Sequence, residues 1–237
     1  MFYWIIPLSI GTILLTIFLI FRGRGDRKKA VIVKGFTSLA FIITALVAWK
    51  CSSNPNSLFG VFVILGLVFG LFGDIVLDLK FILTKYDFPL TVAGFMVFLI
   101  GHVFYIIGLF VVFYNWSASI LYLIIPLIVG VVLSIITLLM ENFGMVKYGK
   151  MKPFVPIYAV SLFFDVAIYF SVAIQSGWQI TTVNIMAISL VSFAISDLIL
   201  NNTYFATGFD KPVHIVTNHL FYYVAQFAIA VSLFFLI

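Results

Sequence analysis

Charge is scarce in this sequence. Only 9% of its 237 residues are Asp, Glu, Lys or Arg, against about a quarter in a soluble globular domain, and 64% are apolar. With a mean hydropathy of +1.26 there is too little polar surface to cover a water-facing fold, which excludes a soluble globular protein. Cysteine is almost missing: the lone Cys51 excludes an internal disulfide and any multi-cysteine metal site. The three histidines do not fall at metal-ligand spacing, so no zinc centre is expected, and no motif implies a cofactor. Internal repeats, low-complexity tracts and loops long enough to hold a further domain are also absent. A single domain, residues 1–237, is the expectation.

Long apolar runs are abundant. A helix needs roughly 20 residues to cross hydrocarbon, and such runs lie at about 2–21, 31–49, 58–79, 89–114, 118–140, 153–175, 180–201 and 213–236. The expected fold class is all-α: a polytopic membrane protein built as a bundle of eight transmembrane helices. The first run has no basic stretch before it and no small-residue cleavage site after it, so it reads as a retained span rather than a removed signal peptide.

The cations set an orientation. Arg22, Arg24, Arg27, Lys28 and Lys29 fall in the first connection, Lys80 and Lys85 in the third, Lys147, Lys150 and Lys152 in the fifth and Lys211 in the seventh. The even-numbered connections and both termini hold only Lys50. By the positive-inside rule the odd connections face the cytosol and both termini lie outside it, as expected of a protein of the cell membrane. The formal net charge of +5 is accounted for by topology, and no nucleic-acid partner is implied.

Ionisable residues inside spans are expensive and mark function or pairing. Counting at about 1.5 Å per residue from the cytosolic helix ends places Lys34, Asp74, Asp78, Asp197, Asn201, Asn218, His219 and Tyr222 in the inner third of the bilayer. His102 and Tyr105, Asp165 and Gln226 fall near its middle. Asp74 and Asp78 share a helix face by their i, i+4 spacing, and Asp197 and Asn201 repeat it. Carboxylates crowded in low dielectric cannot all stay ionised cheaply, and one acid beside one base is what proton-transfer chemistry needs. Lys34 can instead snorkel to the interface. A proton-coupled transporter would concentrate the same residue types, but no repeated half with broken helices at matching positions is visible. An intramembrane aspartyl protease would show Gly-x-Gly-Asp, and Leu71-Phe72-Gly73 precedes Asp74 instead. A retinal-binding protein would need a lysine inside the last span, which has none.

Four blocks in order, GDIVLDLK, FLIGHVFYIIGL, SFAISDLIL and YYVAQFAIA, resemble those of the YhhN-like lysoplasmalogenase family of eight-span membrane proteins. The resemblance implies hydrolysis of the vinyl ether bond of a lysoplasmalogen to a fatty aldehyde and a glycerophospho-amine. It places the two catalytic aspartates on Asp74 and Asp197, and it implies a lysophospholipid substrate drawn from membrane lipid. Lys34 matches the family's lysine near the start of span two, with Gly35 where proline is usual. His102 and Tyr105 match the span-four block, and Tyr222, Tyr223 and Gln226 the span-eight block. With Asn201, these are the candidate substrate-binding residues, Lys34 as a contact for the phosphate. Asp78 and Asp165 fall where uncharged residues are expected. A hydrolase of another lysolipid on the same scaffold is the nearest alternative.

Overall fold

The computed structural model describes residues 2–209 and 211–237. The chain is all-α, with no strand among the described residues. Its eight long helices are α1 (Ile5–Gly23), α2 (Arg27–Lys50), α3 (Leu58–Leu79), α4 (Asp87–Val112), α5 (Leu121–Asn142), α6 (Val155–Gln175), α7 (Thr181–Phe205) and α8 (Pro212–Ser232). All eight are long and apolar enough to cross a membrane, so the chain is an integral, multi-pass membrane protein. The polar hydroxyls within them are largely absorbed locally. Thr16, Thr37, Thr44, Ser189 and Thr203 each donate to the carbonyl four residues back, which meets the demand for internal hydrogen bonding in hydrocarbon.

Two helices extend a full turn past their expected ends. Residues Arg27 to Ala30, expected in a connection, form the first turn of α2. Asp26 caps that turn, its side chain accepting from the Lys29 backbone N–H at 3.4 Å and pairing with the Lys29 ammonium at 2.9 Å, as an aspartate at a helix N-terminus does. The first connection is therefore only three residues, Arg24 to Asp26. At the other site α7 runs a turn beyond 201 to Phe205, which leaves Asn201 inside the helix rather than at its end.

The helices divide into two compact units, Met1–Gly108 with Ile229–Ile237, and Leu109–Ala228. In the first unit α1 packs on α2 and α2 on α3, and the short turn Leu233–Phe235 also rests on α2. The α3–α4 contact within this unit is close because of glycine. A Cβ at Gly66 would stand 2.2 Å from Cε1 of Tyr105, and one at Gly73 would stand 2.7 Å from the Phe98 ring, so both aromatic rings occupy space that any other residue would fill. In the second unit α5 packs on α6 and α6 on α7. Two hydroxyls pin α5 to α6, Ser134 donating to the Pro156 carbonyl at 3.0 Å and Ser171 to the Tyr122 carbonyl at 2.6 Å. The remaining face of α5 is open, with Ile125, Ile128, Val132, Ile135 and Ile136 exposed. Such a patch would be a liability in water and is the expected surface against lipid tails.

Candidate functional sites

In the first unit the polar residues of α2 and α3 form a ladder. Because the two helices are consecutive spans running in opposite directions, residues four apart on one face each other in reversed order on the other. Lys34 lies opposite Asp78, and Ser38 opposite Asp74. The Lys34 ammonium donates to Oδ1 of Asp78 at 3.1 Å and lies 3.2 Å from Oδ1 of Asp74, while the Ser38 hydroxyl donates to Oδ2 of Asp74 at 2.6 Å. Lys34, Asp74 and Asp78 are at most 5% exposed. From the C-terminal end of α1 the guanidinium of Arg22 approaches Oδ2 of Asp78 at 3.8 Å. The group thus holds two cations and two carboxylates.

This arrangement answers one alternative left by the sequence. Lys34 does not reach out to the interface; its side chain is turned inward and bridges both aspartates of α3. Asp78, the carboxylate at an unexpected position, is what completes that bridge. Two residues of this group carry no functional signal in the sequence. Ser38 gave no signal of its own beyond its i+4 spacing from Lys34, and serines in spans commonly bond back to their own helix, as Thr37 does to Val33. Arg22 was assigned wholly to the positive-inside bias.

His102 and Tyr105 of α4 are also buried, at 1% and 2% exposure. Their rings meet edge to face with centroids 6.1 Å apart, and the Tyr105 ring lies on the bare backbone of Gly66.

In the second unit the sites are built on α6, α7 and α8. Asp197 is half-buried and accepts a hydrogen bond from the phenol of Tyr158 on α6. Tyr158 carries no signal in the sequence, since nothing there separates a tyrosine that packs from one that bonds a carboxylate. Asn201 lies one turn further along α7. The α7–α8 contact is polar: the Asn218 amide donates to the Ser196 carbonyl at 2.7 Å and to its hydroxyl at 3.0 Å, and the Ser192 hydroxyl donates to the Phe221 carbonyl at 2.9 Å. On α8 the Gln226 amide donates to the Tyr222 hydroxyl at 2.9 Å, and Tyr222 meets Tyr223 and Phe193 edge to face. His219 spends its Nδ1 proton on the Ile215 carbonyl at 2.7 Å. Asp165 on α6 is fully buried.

The structure therefore brings together Lys34 and Asp74, with Asp78, Ser38 and Arg22, in the first unit. It brings together Tyr222, Tyr223 and Gln226 in the second, and gives Asp197 the partner Tyr158. Asp74 and Asp197 belong to different units, each with its own neighbours.

Eight apolar helices carrying buried acid, base and hydroxyl side chains define an integral membrane protein with ionisable sites inside its spans. The YhhN family model matches residues 29–233, most of the chain, and the protein belongs to the YhhN family. No curated protein and no solved structure matches it.

Proposed function

We propose that this chain hydrolyses the vinyl ether bond of a lysoplasmalogen, with Asp74 and Asp197 as the acid and base. The observation that carries the reading is Asp74 itself, a carboxylate 2% exposed within an apolar span and held by the Ser38 hydroxyl and the Lys34 ammonium. Burying a carboxylate this way is costly and orients it more than stability requires. Membership of the YhhN family is compatible with a hydrolase.

The chemistry asks for what two such carboxylates can supply. One donates a proton to the β-carbon of the vinyl ether, which converts the C=C–O unit into an oxocarbenium ion. The other takes a proton from water as its oxygen bonds to the cationic carbon, and its negative charge stabilises the cation, as paired carboxylates do at a glycosidic bond. The resulting hemiacetal breaks its bond to the glycerol oxygen, releasing that hydroxyl and a fatty aldehyde. One water is consumed and no cofactor takes part. Ser38 and Tyr158 act as positioning residues, each holding one carboxylate by a hydrogen bond. The substrate is a lysophospholipid taken from the membrane, with His102, Tyr105, Asn201, Tyr222, Tyr223 and Gln226 as candidate contacts. The odd-numbered connections face the cytosol and the termini lie outside it, in the cell membrane.

The test is incubation of the purified protein in detergent with a vinyl-ether lysolipid and its ester counterpart side by side. The reading expects free fatty aldehyde from the vinyl ether. Ester cleavage alone would redirect it to another lysolipid hydrolase. The network of Arg22, Lys34, Asp74 and Asp78 would also suit a proton-coupled carrier; absence of any hydrolysis together with substrate-driven proton uptake in vesicles would favour that second reading.

A further inference from the structure

The proposal above needs the substrate phosphate to be recognised, and Lys34 is a poor candidate for that task. Lys34 is 5% exposed and its ammonium already lies against two carboxylates. A different set of cations stands at the cytosolic end of the same unit, gathered around one residue. The Arg22 guanidinium sits 3.9 Å over the Phe81 ring, Arg27 donates from Nη1 to the Phe81 carbonyl at 3.2 Å, and the Lys80 ammonium lies 5.4 Å from the same ring. Three positive side chains, from the end of α1, the start of α2 and the end of α3, are thereby held around one residue.

Positive-inside bias explains why cations lie on this side, but not why they are fixed against each other. Gathering like charges is unfavourable unless an anion offsets it. Among the described residues Asp78 stands 3.8 Å from Arg22 and Asp87 3.6 Å from Lys80, which also donates to the Thr91 hydroxyl at 3.4 Å; the Arg22 pair is longer than a charge-assisted hydrogen bond. Asp87 is moreover mostly in solvent, its side chain 65% exposed. Stacking on Phe81 leaves the planar fork of Arg22 oriented, and none of its five N–H donors makes a hydrogen bond among the described residues. A pre-oriented guanidinium with unused donors is the group that best matches phosphate oxygens. Apolar side chains deeper on the same helices, Ile20 of α1 and Ile32 and Phe36 of α2, are exposed, so a bound anion at this level would have hydrocarbon beside it. Burial lowers the Lys80 ammonium to about 8, in spite of Asp87 and Asp78.

We propose that Arg22, Arg27 and Lys80, gathered around Phe81, form the subsite that receives the phosphate of a single-chain phospholipid. This rests on the lysolipid reading of the function and adds to it. Arg22 and Arg27 precede the segment matched by the family, which begins at residue 29, whereas Lys80 and Phe81 lie within it.

The experiment measures binding apart from turnover. Thermal unfolding of the full chain in uncharged detergent is followed against three probes: a saturated alkyl-ether lysophosphatidylethanolamine, which has no vinyl bond to cleave, the matching alkylglycerol without phosphate, and inorganic phosphate. The lysolipid should stabilise the wild type at concentrations at least tenfold below those the alkylglycerol needs, and phosphate alone should do little. Arg22→Gln and Arg27→Gln should each weaken lysolipid binding by about tenfold or more, the loss expected for a hydrogen bond to a charged group, and leave the alkylglycerol unaffected, while Lys147→Gln in the second unit changes nothing. Wild-type affinity in the Arg27→Gln variant overturns the subsite, as does equal stabilisation by the alkylglycerol or by phosphate alone. Should Arg22→Gln fail to fold, the exposed Arg27 decides. The two proposals separate cleanly: arginine-dependent lysolipid binding without any aldehyde from a vinyl ether ends the hydrolase reading and keeps the subsite, whereas aldehyde release with an unaltered KM in Arg27→Gln ends the subsite and keeps the hydrolase.

Discussion

Asp74 and Asp197 are the same residue type in two differently built surroundings. In the first unit Asp74 is one of four charged side chains linked across α1, α2 and α3. In the second, Asp197 is half-buried and takes a hydrogen bond from the neutral phenol of Tyr158. A carboxylate held by an ion pair is fixed by charge, and removing its partner strands a buried anion. One held by a hydroxyl loses a single contact. The difference teaches that the first unit's site is far less tolerant of substitution around its aspartate, although neither arrangement is needed to keep a helix in a bilayer.

The largest contrast should come from the partners. Lys34→Met removes the bridge between Asp74 and Asp78 and should lower stability by about 3 kcal/mol or more, the scale for breaking one side of a buried pair, measured by unfolding in mixed micelles. Adding Asp78→Asn should recover part of that loss, because the double variant strands one anion fewer, and a double-mutant cycle reads the coupling. Simple additivity of the two changes would show that the ladder is not one unit.

A smaller loss is expected where packing rather than charge fixes a side chain. Gly66→Ala places a methyl group on the Tyr105 ring and should cost about 1–3 kcal/mol; an unchanged unfolding midpoint would mean that Tyr105 can move aside freely. Tyr158→Phe should cost about 1 kcal/mol, one net hydrogen bond. If it destabilised as much as Lys34→Met, the contrast between the two aspartates would fail.

The smallest effect is electrostatic and lies at the membrane edge. Lys80 is lowered from the usual 10.5 to about 8, chiefly by burial and in spite of Asp87. Between those values the unfolded chain binds the proton that the folded one has released, so this lysine's contribution to stability rises with pH across the window and is least favourable below about 8. Competitive amine labelling should show half-maximal reactivity of Lys80 near pH 8. A midpoint at the ordinary lysine value would show the side chain to be solvated.

Much of the fold is legible in the sequence because hydrocarbon imposes one requirement, a continuous apolar run, and α3 spans the very residues, 58–79, that such a run marks. The ends are less legible. Hydropathy cannot see a helix that continues into water, so the Arg27–Ala30 turn of α2 and the Asn202–Phe205 turn of α7 read as connection, though Asp26 is a cap signal. The site was legible where charge is expensive: Lys34, Asp74 and Asp78 announce themselves in an apolar run, and i, i+4 spacing puts the two aspartates on one face. Ser38 and Tyr158 do not, since a hydroxyl in a span is cheap and usually satisfied within its own helix, and only coordinates reveal which ones turn to a carboxylate. Arg22 was hidden because a topological bias already accounted for its charge.

The central claim is that Asp74 and Asp197 are both catalytic, and aldehyde release from a vinyl-ether lysolipid by the folded Asp74→Asn and Asp197→Asn proteins tests it most directly. The account predicts that each variant keeps its helical content in detergent and loses turnover by about a hundredfold or more, the scale of a missing acid or base. Wild-type turnover in either variant would contradict it.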